Sequence, residues 1–145
     1  MNRDRHNSLN LKSFLLAVLA PILSVVAFDQ ALKQQALTEA SSIYYNAGIM
    51  FGAFNGAPPI ARIVSVLVLF GFVLVAGIFL QVFFARKHKP TAFFLGIYLG
   101  GIVSNAIDRL NYGAVVDHII LPGLPNLAWN NADFCQWIGL VFFLG

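Results

Sequence analysis

The sequence predicts an all-α integral membrane protein with four transmembrane helices and both termini on the cytoplasmic side. Three observations carry that reading. Of 145 residues, 59% are hydrophobic and only 10% charged, against roughly 25% charged in an average globular chain. So little charge cannot cover the surface of a water-soluble protein of this size, so lipid must cover much of it. Second, long apolar runs recur between short polar breaks. Third, the basic residues flank those runs, as membrane topology requires. They form no single patch, so the net charge of +3 does not point to nucleic acid.

The first span is expected over residues 14–36. Phe14 to Phe28 carries no charge, yet at about 1.5 Å per residue it reaches only ~22 Å, short of a ~30 Å hydrocarbon core. The helix must therefore continue through Asp29, placing Asp29 and Lys33 at the membrane edge. A basic start before an apolar run also fits a cleaved signal peptide. Ala27-Phe28-Asp29 is a poor cleavage site, however, and the rest of the chain stays membranous. The second span, residues 60–84, holds one charge, Arg62, near enough to its end to snorkel. Arg86-Lys87-His88-Lys89-Pro90 stops it. The third covers residues 91–108 and the fourth residues 130–145, the latter short at roughly 20 Å. Arg3, Arg5 and Lys12 at the start, and Arg86, Lys87 and Lys89 after the second span, set both ends inside and the long loops outside. Residues 1–145 read as a single domain. Gly96, Gly100 and Ser104 form a small-residue stripe suited to close helix packing.

The chain has six acidic residues. Asp4 and Glu39 lie in the N-terminal tail and the first outer loop. Asp29, Asp108, Asp117 and Asp133 fall at outer span ends or in the loop joining spans three and four. Carboxylates beside lipid are costly and mark function by default. Asn105, Asp108 and Arg109 share a helix face, as a polar site or as a capped helix end. Asn130 and Asp133 repeat the three-residue spacing, and either could cap the fourth helix. Asp117 stands in the apolar stretch Val115-Val116-Asp117-His118-Ile119-Ile120, where a carboxyl pKa rises. Two such acids facing each other share a proton and can activate a water for attack on a peptide bond.

Other chemistries lack the residues. His6, His88 and His118 are far apart, no Cys/His cluster or HExxH exists, and no metal site is expected. There is no GxSxG elbow and no glycine-rich phosphate loop. The lone Cys135 reads as a small apolar helix residue.

Five blocks, in order, resemble the prolipoprotein signal peptidases (signal peptidase II). Asp29-Gln30-Ala31-Leu32-Lys33 looks like the family's DQxxK, and Asn46-Ala47-Gly48-Ile49-Met50-Phe51-Gly52 like its NxGxxFG. Ser104-Asn105-Ala106-Ile107-Asp108-Arg109 resembles GNxxDR, Gly113-Ala114-Val115-Val116-Asp117 resembles GxVxD, and Trp129-Asn130-Asn131-Ala132-Asp133 resembles FNxAD. The resemblance implies an aspartic endopeptidase of the bacterial inner membrane, with Asp117 and Asp133 as the catalytic pair. It would cut diacylglyceryl-modified prolipoproteins just before the lipidated cysteine, at the outer face. It implies that Asn105, Asp108, Arg109 and Asn130 shape the polar site, while Asp29, Lys33 and Asn46 bind substrate or hold the outer loop. A small β cradle in the first outer loop, no cofactor and inhibition by globomycin-type peptides also follow from it; contact with membrane lipid follows from the composition, and a monomer is expected. Ser104, His118 and Trp129 depart from the usual glycine, apolar or aromatic residue and phenylalanine, and the loop from Lys33 to Asn46 is shorter than the family's. These departures keep one alternative open: a non-catalytic paralogue that binds lipopeptides or the antibiotic.

Overall fold

The computed structural model describes residues 11–39, 43–47, 89–121 and 124–144, with isolated positions between 58 and 77. Three helices and four short strands make up the described part. Helix α1 spans Leu11–Thr38, α2 spans Lys89–Tyr112 and α3 spans Asn131–Leu144. The strands are β1 (Tyr44–Asn46), β2 (Val115–Asp117), β3 (Ile119–Leu121) and β4 (Leu124–Trp129). The span expected at residues 60–84 lies outside the described residues save for a few positions. So do Arg3, Arg5, Arg86 and Lys87, and the block from Gly48 to Gly52.

Helix α1 runs unbroken through Asp29, as the reach argument requires, and accommodates Pro21 in its interior. Lys12–Thr38 and Pro90–Tyr112 are long and apolar enough to cross a membrane. Large apolar side chains face outward: Leu15, Leu16, Leu19, Leu23 and Phe28 of α1 are exposed, as are Trp137, Ile138, Val141 and Phe142 of α3. Water would penalise such faces; lipid does not.

Helix α2 is the centre of the bundle. Its small residues face both neighbours. A Cβ at Gly100 would come within 2.8 Å of Val25 Cβ and 3.1 Å of Ile22 Cα, and one at Gly96 would strike the Val18 carbonyl. One at Gly101 would strike the Ala132 carbonyl of α3, and α3 returns the arrangement with Gly139 against the backbone of Tyr98. The stripe at positions 96, 100 and 104 therefore serves internal packing against α1. Lipid is as apolar as leucine, so close approach and dispersion, rather than water exclusion, hold such helices together. Val18, Ala92, Leu95 and Leu99 form the core, lined by Phe14, Ile22, Tyr98 and Phe143. Phe94 and Phe142 stack across α2 and α3 at 4.8 Å.

Small sheets are present, while most of the first outer loop, where a cradle was expected, lies outside the described residues. The first outer loop contributes only β1 among the described residues, and its partner comes from the later loop. Strands β1 and β2 pair antiparallel, with Tyr44 opposite Asp117 and Asn46 opposite Val115. Strands β3 and β4 form a second antiparallel pair, irregular between Ile120 and Leu121. A three-residue strand has no sheet of its own, so β1 takes the edge that the apolar run at Val115 offers.

Candidate active site

The site begins where α2 ends. Gly113 adopts φ +72°, the left-handed conformation that glycine reaches without cost. Its N–H bonds the Arg109 carbonyl at 3.1 Å, closing the helix and turning the chain into β2. That turn delivers Asp117, at the last position of β2, into the interior, where the residue is 1% exposed.

Asp133 arrives from the other side, in the first turn of α3. Asn130 precedes that helix and caps it. Its Oδ1 accepts the Asp133 N–H at 3.0 Å, and Asp133 Oδ2 accepts the Asn130 N–H at 3.2 Å. This is a reciprocal capping box, so the capping role allowed by the sequence is real. Capping does not exhaust Asn130. Because its oxygen is engaged, its amide nitrogen is free to donate to Asp117 Oδ1, at 2.6 Å. Asn46 of β1 donates to the other oxygen, Oδ2, at 3.2 Å. One asparagine thus links both acids: backbone to Asp133, side chain to Asp117.

Burial is the main force on the Asp117 carboxyl, pushing its pKa up to about 6, with the charge of Asp133 adding to the rise. Hydrogen bonds from Asn130 and Asn46, and the charge of Lys33, hold it down. An acid so placed carries its proton into the mildly acidic range and can give it up near neutrality.

A second layer lies behind this pair. Lys33 Nζ sits 2.7 Å from both Asp29 Oδ2 and Asp108 Oδ2, and all three residues are at most 2% exposed. Asp29 also takes the Ser104 hydroxyl at 2.7 Å and the Ala132 N–H at 2.8 Å. Asp108 takes Gln30 Nε2 at 2.7 Å and the Val116 N–H at 3.1 Å. The carboxylates therefore hold α1, α2, β2 and the start of α3 in one arrangement. Asn105 joins the layers, accepting from Lys33 at 2.9 Å and donating to Asp133 Oδ1 at 2.8 Å. Arg109 bonds the Asn105 carbonyl at 3.2 Å. No group of three or more metal-ligating side chains occurs among the described residues.

The candidate residues named from sequence thus converge. Asp117 and Asp133 stand with Asn46, Asn105 and Asn130 around them; Asp29, Lys33 and Asp108 form the ion cluster behind. Gln30 and Ser104 also belong to that cluster, although sequence reasoning assigned neither to the polar site. Two polar side chains at the end of apolar helices were the available signal.

A family model described as signal peptidase (SPase) II matches residues 21–145. The lipoprotein signal peptidase of Anaplasma marginale is 32% identical to this chain, over 92% of this chain and 85% of its own length. That of Rhodopseudomonas palustris strain TIE-1 is 36% identical over 69% of this chain; the match spans only 63% of that relative. A solved structure titled as a bacterial membrane enzyme superimposes with a TM-score of 0.74 at 20% identity, over 96% of this chain and 89% of that one, and shows the same fold.

The chain belongs to the signal peptidase II family. Set against the family pattern, its departures acquire physical content. Ser104 adds a hydroxyl donor to buried Asp29 while staying small enough for α1. Trp129 makes an edge contact with Phe134 at 5.4 Å. His118 bonds the Trp129 carbonyl through its backbone N–H at 3.1 Å and meets Asn131 Nδ2 through Nε2 at 3.1 Å. Burial pushes the imidazole pKa below its ordinary value.

Proposed function

We propose that this signal peptidase II family member is a membrane aspartic endopeptidase that removes the signal peptide from diacylglyceryl-modified prolipoproteins by cleaving before the lipidated cysteine. The observation that carries the proposal is the convergence of Asp117 and Asp133 from different elements on one asparagine, Asn130. Two carboxyls held this way are the equipment of water-mediated peptide hydrolysis.

In the mechanism that this geometry supports, one acid is ionised and the other protonated. The ionised carboxylate takes a proton from a water whose oxygen attacks the scissile carbonyl carbon. The protonated acid gives its proton to the carbonyl oxygen, forming a tetrahedral diol. The diol then collapses: the C–N bond breaks, the amide nitrogen of the lipidated cysteine takes a proton from the newly protonated acid, and a diol proton returns to the other acid. The pair ends with one proton, as it began. Asn46, Asn105 and Asn130 present donors to the carboxylate oxygens throughout and hold them in place without taking up a proton. Arg109 braces the Asn105 turn.

The proposal includes four spans, at about residues 14–36, 60–84, 91–108 and 130–145, in one domain of the bacterial inner membrane. Both termini are cytoplasmic and the acids lie at the outer face. Acyl chains then remain in lipid while the peptide enters the polar pocket, and a monomer suffices. Globomycin-type peptides compete for that pocket. Asp29 and Lys33 act in this scheme through the ion cluster, because their polar atoms are turned inward onto protein partners.

The test is a gel-shift cleavage assay on purified protein in detergent with a diacylglyceryl prolipoprotein. Wild type is expected to cut before the lipidated cysteine, and Asp117→Asn and Asp133→Asn to fail while remaining folded. A wild type that binds the precursor without cutting it would replace this reading with that of a lipopeptide-binding paralogue.

A further inference from the structure

Lys33 has three N–H donors and no acceptor. Each donor has a protein partner: Asp29 Oδ2 and Asp108 Oδ2 at 2.7 Å, and Asn105 Oδ1 at 2.9 Å. The residue is 2% exposed. Two of these bonds neutralise buried charge and need no further explanation. The third does something else. An asparagine side chain has an oxygen end and a nitrogen end of nearly equal shape, and Asn105 lies between Lys33 and Asp133. An ammonium tolerates only the oxygen. The nitrogen is thereby forced toward Asp133 Oδ1, which it meets at 2.8 Å.

We propose that Lys33 is a positioning residue for the aspartate pair, acting through Asn105: its ammonium fixes the Asn105 amide so that an N–H, never a carbonyl, faces Asp133. With the amide reversed, an oxygen would oppose the carboxylate and the attacking geometry would be lost. The bond from the ammonium also polarises the amide, strengthening the N–H that Asp133 receives. The other asparagine contacting Asp133 has its orientation fixed comparably, since the Asp133 backbone N–H can face only Asn130 Oδ1. Obligate donors thus set the Asn105 and Asn130 amides, two of the three that donate to the acids, the third being Asn46. The charged and titratable groups around this route are Asp29 on α1, Asp108 and Arg109 on α2, Asp117 at the end of β2 with His118 next to it, and Asp133 on α3.

This inference rests on the proposed aspartic mechanism, and its test separates the two. Lys33→Gln, Asn105→Leu and the double variant are compared with wild type for kcat, KM and the pH dependence of kcat. In parallel, the carboxyl-stretch infrared titration of the acid pair is followed, with bands assigned by their absence in Asp117→Asn and Asp133→Asn. Each single change is expected to lower kcat on the order of 10–100-fold, the scale of an orienting partner, with KM within about twofold. Each should move the acidic limb of the pH profile and the pair's titration midpoint together, and the double variant should add little to either single change. Asn105→Leu leaves the Lys33 carboxylate pairs in place, so it reports even if Lys33→Gln fails to fold. An unmoved titration in folded Asn105→Leu, additive effects in the double variant, or a raised KM with kcat intact would each overturn the proposal. Absence of cleavage by wild type would refute the enzymatic reading instead, and the infrared titration would still decide the role of Lys33.

Discussion

Asp29 Oδ1 accepts the backbone N–H of Ala132 at 2.8 Å, across 103 residues of chain. An acid of the first helix thus caps the helix that carries Asp133. Helix N-termini leave donors unsatisfied and favour negative charge, so this bond both closes α3 and sets its distance from α1. Asp29→Ala removes it and strips Lys33 of one counter-charge. Breaking a buried pair from one side costs about 3–5 kcal/mol. A large drop in thermal stability in detergent is expected, with a smaller drop for Asp29→Asn. Equal melting of Asp29→Ala and wild type would show that the cap carries no weight.

Ser104→Gly deletes one donor to the same carboxylate. A hydrogen bond to a charged group is worth about 1.5–3 kcal/mol. The variant should melt lower than wild type and retain its cleavage chemistry. Unchanged melting would mean that Asp29 is satisfied without the hydroxyl.

The Asp117 pKa of about 6 lies above the ordinary value near 3.9. Between these values the folded protein binds more protons than the unfolded chain, so stability contributed by this group falls as pH rises from about 4 to about 6 and stays lost above. Asp117→Asn removes that penalty. It should therefore melt above wild type at pH 7.5, by about 1–3 kcal/mol, show little or no gain near pH 4, and be inactive at both. A gain at acidic pH alone would reverse the sign and refute the raised pKa.

The same shift predicts the alkaline limb of activity. A pair that needs one proton loses kcat/KM as pH rises through its upper macroscopic value, which the raised Asp117 pKa moves above the ordinary carboxyl range. Asn46→Ala removes a bond that holds the Asp117 pKa down, so its alkaline limb should move to higher pH. Profiles measured on both proteins with one substrate suffice; a limb moving to lower pH would refute the Asn46 contact.

Gly100→Val tests the helix contact. The added Cβ would lie 2.8 Å from Val25 Cβ, well inside van der Waals contact, and the backbone of α1 cannot yield as a flexible side chain would. Overpacking costs typically 1–3 kcal/mol, and here it also pries apart the helices that carry Asp29 and Asn105. Lower stability and disproportionately lower activity are expected from melting and cleavage measured on the same preparation.

The sequence by itself determined the class and the family. Apolar runs broken by sparse charges identify a helical membrane protein because a spanning helix must present apolar side chains to lipid, and five ordered blocks carried the resemblance that the family match upholds. It also named the acids, since carboxylates beside lipid are too costly to be incidental. Tertiary structure decided how they are used. Nothing local reveals that Asp29 caps a helix a hundred residues away, that β1 pairs with β2 across two loops, or that Asn130 serves Asp133 with its backbone and Asp117 with its amide. Each depends on where two distant segments meet. Spacing along a helix can place polar groups on one face, but only the approach of a neighbouring helix selects their partner, and in the cluster around Lys33 that selection fixes which way an asparagine points.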